Sequence, residues 1–165
     1  MKSIREIYKT GKGPSSSHTM GPERAANYFK NAHPQADGFR VILYGSLSKT
    51  GVGHGTDRVL REVLAPVPTE IVFSDEALPA SAHPNTMDLI ALKNGAEADR
   101  LRVESIGGGD IRIEGQDAPE EQDEVYPENS FAEIAQFCRW RYISLSEYVE
   151  LNEGPGIWDF LAEVW

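Results

Sequence analysis

The sequence predicts an α+β fold: a mainly antiparallel sheet with two packed helices, followed by a short helical tail. Three observations point there. Short β-branched runs at 39–46 (FRVILYGS) and 70–74 (EIVFS) read as strands. Two further runs, 88–93 and 100–106, flank Asn94-Gly95, a strong hairpin signal. From residue 130 onward the pattern changes to helix-start signals alone. At 165 residues and 18.3 kDa, the chain can bury one real core with little left for a second.

Taken in order, residues 4–8 can form one helical turn with Ile4, Ile7 and Tyr8 on one face. GPSSSHTMGP at 13–22 sets three serines and a histidine between Gly/Pro breakers, ahead of a helix predicted over 23–31 with Ala25, Ala26 and Phe29 facing inward. That helix aims its unpaired N–H groups back at the turn, where a carboxylate or phosphate would sit well. The alternative is a plain N-cap by Ser17 or Thr19; one cap needs only one hydroxyl. His33, just past this helix, reads as a solvated C-terminal residue. After the strand at 39–46, KTGVGHGTD at 49–57 reads as a glycine-rich loop opening a helix over 57–64 capped by Thr56 or Asp57. A loop at 75–85 holds Pro79, His83, Pro84 and Asn85, and Gly107 to Gly109 lead into a short strand at 110–114. Ser130 with Glu133 and Ser144 with Glu147 match the capping box. A last helix at 156–165 is apolar enough either to pack on its own domain or to want a partner. The domain reading is 1–115, an acidic linker at 116–129, and a helical connection at 130–165.

The formal net charge of −10 and pI of about 4.8 argue against nucleic acid or an anionic membrane as partner. Residues 114–128 carry seven carboxylates and no base, the pattern of a solvated linker. Cys138 is the only cysteine, which excludes an internal disulfide and a multi-cysteine metal site on this chain. A polar N-terminus and the lack of a long apolar run predict a cytoplasmic protein.

Three predicted loops hold the reactive side chains: Ser15 to Thr19, Gly51 to Asp57, and His83 to Asn85. They contain three of the four histidines, and an imidazole between Gly53 and Gly55 can take a proton near neutral pH. The spacing of Gly51, Gly53 and Gly55 is not the dinucleotide fingerprint. Ser46-x-x-Lys49 and Lys49-Thr50-Gly51 mimic β-lactamase motifs but share one lysine. A hydrolase drawn from Ser16, His54 and Asp57 lacks a nucleophile elbow, and a metal site from His18, His54 and His83 lacks the helical i, i+4 pair.

GPSSSHTMGP, LYGSLSKTGVGHGTD, HPNTM and SIGGGDI, in that order, resemble the β domain of bacterial iron-sulfur-dependent L-serine dehydratases. The resemblance implies a lyase converting L-serine to pyruvate and ammonia, in which Ser15, Ser16, Ser17, His18 and Thr19 line the pocket. It further implies His54 as the base with His18 second, Asp57 orienting the loop, and His83 and Asn85 completing the site. A [4Fe–4S] cluster would be ligated by cysteines of a catalytic α domain absent from this chain, and the isolated chain would be inactive. The same β domain resembles the allosteric substrate-binding domain of some D-3-phosphoglycerate dehydrogenases, which keeps open an effector module that binds serine or a small anion without chemistry. A homodimer is a further expectation.

Overall fold

The computed structural model describes residues 1–116 and 124–165. In chain order the elements are α1 (Ile4–Ile7), α2 (Met20–Ala32), β1 (Gly38–Leu43), α3 (Gly45–His54), α4 (Thr56–Leu64), β2 (Thr69–Phe73), β3 (Thr86–Lys93), β4 (Ala96–Gly107), β5 (Asp110–Ile113), α5 (Phe131–Arg141), α6 (Leu145–Glu153) and α7 (Ile157–Val164). They fall into two compact units: the described residues of Gly11–Ala118, and Met1–Thr10 with the described residues of Pro119–Trp165. Half of the predicted acidic linker, residues 117–123, lies outside the described residues.

In the larger unit a five-stranded sheet runs β2-β1-β3-β4-β5. All neighbouring pairs are antiparallel except β1 and β2, which the α3–α4 crossover makes parallel. Period-two alternation sorts the strand side chains. Phe39, Val41 and Leu43 of β1 and Met87, Leu89 and Ala91 of β3 enter one core with Ala25, Ala26 and Phe29 of α2, Leu47 of α3 and Leu60 and Leu64 of α4. The hairpin turns at Asn94 (φ 53°) and Gly95 (φ 78°), both left-handed as a two-residue turn of this kind demands.

Three helices, not two, pack on this sheet. The predicted glycine-rich loop is mostly the helix α3: the chain leaves Tyr44 in an extended conformation and coils at once, and Leu47 and Gly51 are buried along it. Gly55, at φ 74° and ψ 23°, breaks the helix in the left-handed conformation, and α4 restarts immediately. The predicted cap by Thr56 or Asp57 is therefore absent, with Gly55 in the N-cap position. α2 likewise starts earlier than predicted, at Met20. Pro22 fits inside the first turn, where no N–H is needed. Thr19 takes the N-cap position without a side-chain cap. His33 is not simply solvated: Nδ1 faces the Phe29 carbonyl at 2.8 Å and Nε2 faces Asp99 at 2.8 Å.

The smaller unit carries the helical tail. Both predicted capping boxes form, at Ser130 with Glu133 and at Ser144 with Glu147. Tyr126, Ile134 and Tyr148 make its core. Glu153 joins the N-terminal turn to it, accepting from Ser3 Oγ, the Ile4 N–H and Tyr126 OH at 2.7 to 2.8 Å. Among the described residues no helix is long and apolar enough to cross a membrane.

One charge is sealed on the sheet face away from the helices. Asp88 is fully buried on β3 and receives a two-pronged Arg102 guanidinium (2.7 and 2.8 Å), Tyr44 OH (3.0 Å) and Arg100 (3.4 Å). Removing one partner of such a pair costs about 3–5 kcal/mol, because the other charge is stranded away from water. Arg102→Leu is expected to lower the unfolding free energy toward the lower end of that range, since Tyr44 and Arg100 remain. Asp88→Leu combined with Arg102→Leu is expected to recover part of the loss, and urea titration of the two variants checks it.

Candidate functional site

The serine-rich turn is built by its own backbone. Ser15 O accepts from the N–H groups of His18 (3.0 Å) and Thr19 (2.9 Å), and Ser16 O accepts from Gly21 N–H (2.9 Å). Several N–H groups expected to face a ligand at the start of α2 are thus already used. The Thr19 hydroxyl, fully buried, donates to Ser15 O (2.7 Å) and lies against the Lys12 carbonyl, so it locks the turn instead of facing outward.

This turn carries His18, which is 7% exposed, into the mouth of α3. Thr56, the first residue of α4, donates its buried hydroxyl to His18 O at 2.7 Å and pins the backbone. Four hydroxyls surround the ring: Ser17 (3.0 Å) and Ser15 (3.4 Å) at Nδ1, Thr50 (3.0 Å) and Ser46 (3.3 Å) at Nε2. The His54 ring lies beside it, centroids 4.6 Å apart and planes tilted by 36°. His54 Nδ1 sits 2.9 Å from Thr50 O. A carbonyl only accepts, so Nδ1 carries the proton and the neutral ring leaves Nε2 bare.

The corner at His83 to Asn85 joins this group through one residue. Ser46 N–H donates to Pro84 O at 2.7 Å while Ser46 Oγ faces His18. Gly45 permits the approach: its φ is +51°, and a Cβ there would lie 2.5 Å from Pro84 O. Within the corner, Asn85 N–H donates to His83 Nδ1 (3.1 Å), and Asn85 Oδ1 is buried without a partner among the described residues.

The structure therefore brings Ser15, Ser17, His18 and His54 into direct contact and links His83 and Asn85 to them through Ser46. Ser16 and Asp57 lie on the same turn and on the first turn of α4, without a side-chain partner among the described residues. Ser46 and Thr50 are the residues that sequence reasoning missed as site members. Their signal was the i, i+4 spacing Ser46, Thr50, His54, which stacks three side chains on one helix face once 45–54 is seen as a helix.

A [4Fe–4S] cluster takes about four thiolates. Cys138 is the only one available and sits half-buried on α5. No group of three or more His, Cys, Asp or Glu among the described residues can hold a metal ion. The donor set of this chain does not fit the cluster.

With that geometry in place, comparison with known proteins gives the family. The model of the serine dehydratase beta chain matches residues 3–71, a span that contains the serine turn and all of α3. The chain carries a serine dehydratase beta-chain segment. It is 30% identical to the L-serine dehydratase of Haemophilus influenzae over 216 aligned positions, covering 100% of this chain and 47% of the relative. It is 31% identical to L-serine dehydratase 1 of Escherichia coli, with 100% and 47% covered. With the L-serine dehydratase of Mycobacterium tuberculosis the identity is 33%, covering 92% and 42%. The chain spans about half the length of the curated relatives it matches.

Burial, and secondly the adjacent His54 ring, hold the His18 imidazole below its ordinary value of 6.5, against an opposing contact from the Ser46 backbone. The unfolded chain then binds more protons than the folded one just below 6.5. The corresponding stability is complete above 6.5 and is lost as the pH falls toward the folded value. Chemical denaturation across that interval is expected to show a fall on acidification that is shallower in His18→Gln.

Proposed function

We propose that this chain is the β domain of an L-serine ammonia-lyase and supplies the substrate pocket and the base for converting L-serine to pyruvate and ammonia. The observation that carries the reading is the pair of neighbouring, tilted imidazoles, His18 ringed by hydroxyls and His54 with Nε2 bare. The Ser15, Ser16 and Ser17 hydroxyls orient the substrate carboxylate and ammonium. His18, held neutral, orients the Ser15 and Ser17 hydroxyls. His54 Nε2 takes the α-proton, the β-hydroxyl departs with its electron pair, and the two leave as water. The enamine that remains tautomerises, and hydrolysis yields pyruvate and ammonia. Proton removal from an unactivated carbon needs a base placed against it before the reaction begins.

In this reading the [4Fe–4S] cluster is held by cysteines of a catalytic α domain outside this chain, and the fold belongs with the allosteric substrate-binding domain of D-3-phosphoglycerate dehydrogenases. The domain division is 1–115, 116–129 and 130–165, Asp57 orients the loop, His83 and Asn85 complete the site, and the assembled protein is a cytoplasmic homodimer. The competing reading, an effector module without chemistry, shares the turn but leaves His54 idle.

The test is turnover by the β domain assembled with its α partner. His54→Ala is expected to abolish pyruvate formation while L-serine binding persists. Near-normal turnover in that variant would remove the base assignment and favour the effector reading.

A further inference from the structure

We propose that Thr50, a residue assigned no role above beyond its contacts, is the positioning residue that sets the proton arrangement on both imidazoles at once. This rests on the assignment of His18 and His54 to the site. Thr50 touches each ring with a different group: its hydroxyl faces His18 Nε2 at 3.0 Å, and its carbonyl accepts from His54 Nδ1 at 2.9 Å. That double use follows from its place on α3, one turn before His54 and one turn after Ser46.

Hydrogen-bond accounting decides the His18 tautomer. The Thr50 hydroxyl has one proton, and it points back one helical turn to Ser46 O at 2.9 Å. Its lone pairs are left to accept, so His18 Nε2 carries the proton and donates it to Thr50. Nδ1 is then bare and accepts from the Ser17 hydroxyl at 3.0 Å. In this arrangement the chain from Ser17 O–H through His18 and Thr50 O–H to Ser46 O has a donor for each acceptor. The opposite tautomer either turns the Thr50 proton toward His18 and gives up the side-chain bond to Ser46 O, or takes the longer Ser46 hydroxyl at 3.3 Å while the Thr50 oxygen and Nε2 face each other lone pair to lone pair at 3.0 Å; either way the Ser17 proton goes to Ser15 Oγ, a long 3.4 Å away. Burial of the ring makes each lost bond costly.

The consequence for chemistry is a division of labour. His18 presents an acceptor to the serine hydroxyls and cannot swing free, because both its nitrogens are engaged. His54 has only Nδ1 engaged, and the same residue's carbonyl keeps Nε2 as the bare nitrogen.

The experiment is proton–nitrogen correlation NMR of the imidazoles in the isotope-labelled chain, at a pH above the ordinary imidazole value of 6.5. Expected are a proton on Nε2 of His18 and on Nδ1 of His54. Thr50→Val is isosteric and lacks the hydroxyl. It is expected to replace the single-tautomer pattern of His18 with averaged shifts on both nitrogens, while His54, bonded to a backbone carbonyl that valine retains, stays unchanged. Thr50→Ser is expected to restore the His18 pattern. A proton on Nδ1 of His18 in the unmodified chain overturns the proposal. So does an unchanged His18 pattern in a Thr50→Val chain whose amide spectrum shows it folded. If Thr50→Val does not fold, the unmodified chain and Thr50→Ser decide: Nε2–H on His18 in both supports the proposal, Nδ1–H in either overturns it. None of these readouts requires turnover, so they fail or hold independently of the His54→Ala assay.

Discussion

The left-handed residue Gly55 determines where everything in the site lies. At φ 74° it is the one residue between the end of α3 and the start of α4. An L side chain would be strained in that conformation, while glycine adopts it freely. Were the helix to run straight through, Thr56 would continue the face of α3. With the break, its hydroxyl reaches across to His18 O and ties the serine turn to the α3–α4 corner. Gly51 is buried on the same side of α3. One backbone torsion thus brings three segments of chain to one point, and the His18–His54 contact is the result.

The parts of this fold that were legible in the sequence are those governed by neighbours along the chain. An Asn-Gly turn, a capping box and a strand of alternating apolar residues each report themselves within about eight residues. The stretch 45–54 behaves otherwise. Three glycines within GSLSKTGVGH give it poor helical propensity, each costing up to about 1 kcal/mol relative to alanine. What makes it a helix is tertiary: Leu47 is fully buried in the core and Gly51 is buried one turn further along. Missing the helix also hid its face, so Ser46 and Thr50 went unrecognised as partners of a histidine that was itself singled out.

Asp88 shows a second limit. Along β3 it alternates with Met87 and Leu89 as an outward polar residue would, and nothing in the local pattern marks it as buried. Only the register that sets Asp88 opposite Arg102 supplies the guanidinium that pairs with the buried carboxylate. Such pairings belong to strand register, which local sequence specifies weakly.

The two imidazoles, alike in chemistry, are separated by their surroundings. His18 is buried, bonded at both nitrogens, and held below its ordinary value by burial and by its neighbour, all of which favour a neutral ring that orients hydroxyls. His54 is half-exposed with one nitrogen engaged, so it alone combines a bare lone pair with access from outside. Hydroxyls orient a substrate without cancelling charge. In the proposed reaction the departing hydroxide therefore needs an electrophile that hydroxyls cannot provide. A chain with one thiol cannot ligate a [4Fe–4S] cluster, so in the proposed reaction that charge is met by a component outside it, while the proposed base and substrate-orienting hydroxyls are on this chain. Dehydration on this view requires the two components to close on the same substrate.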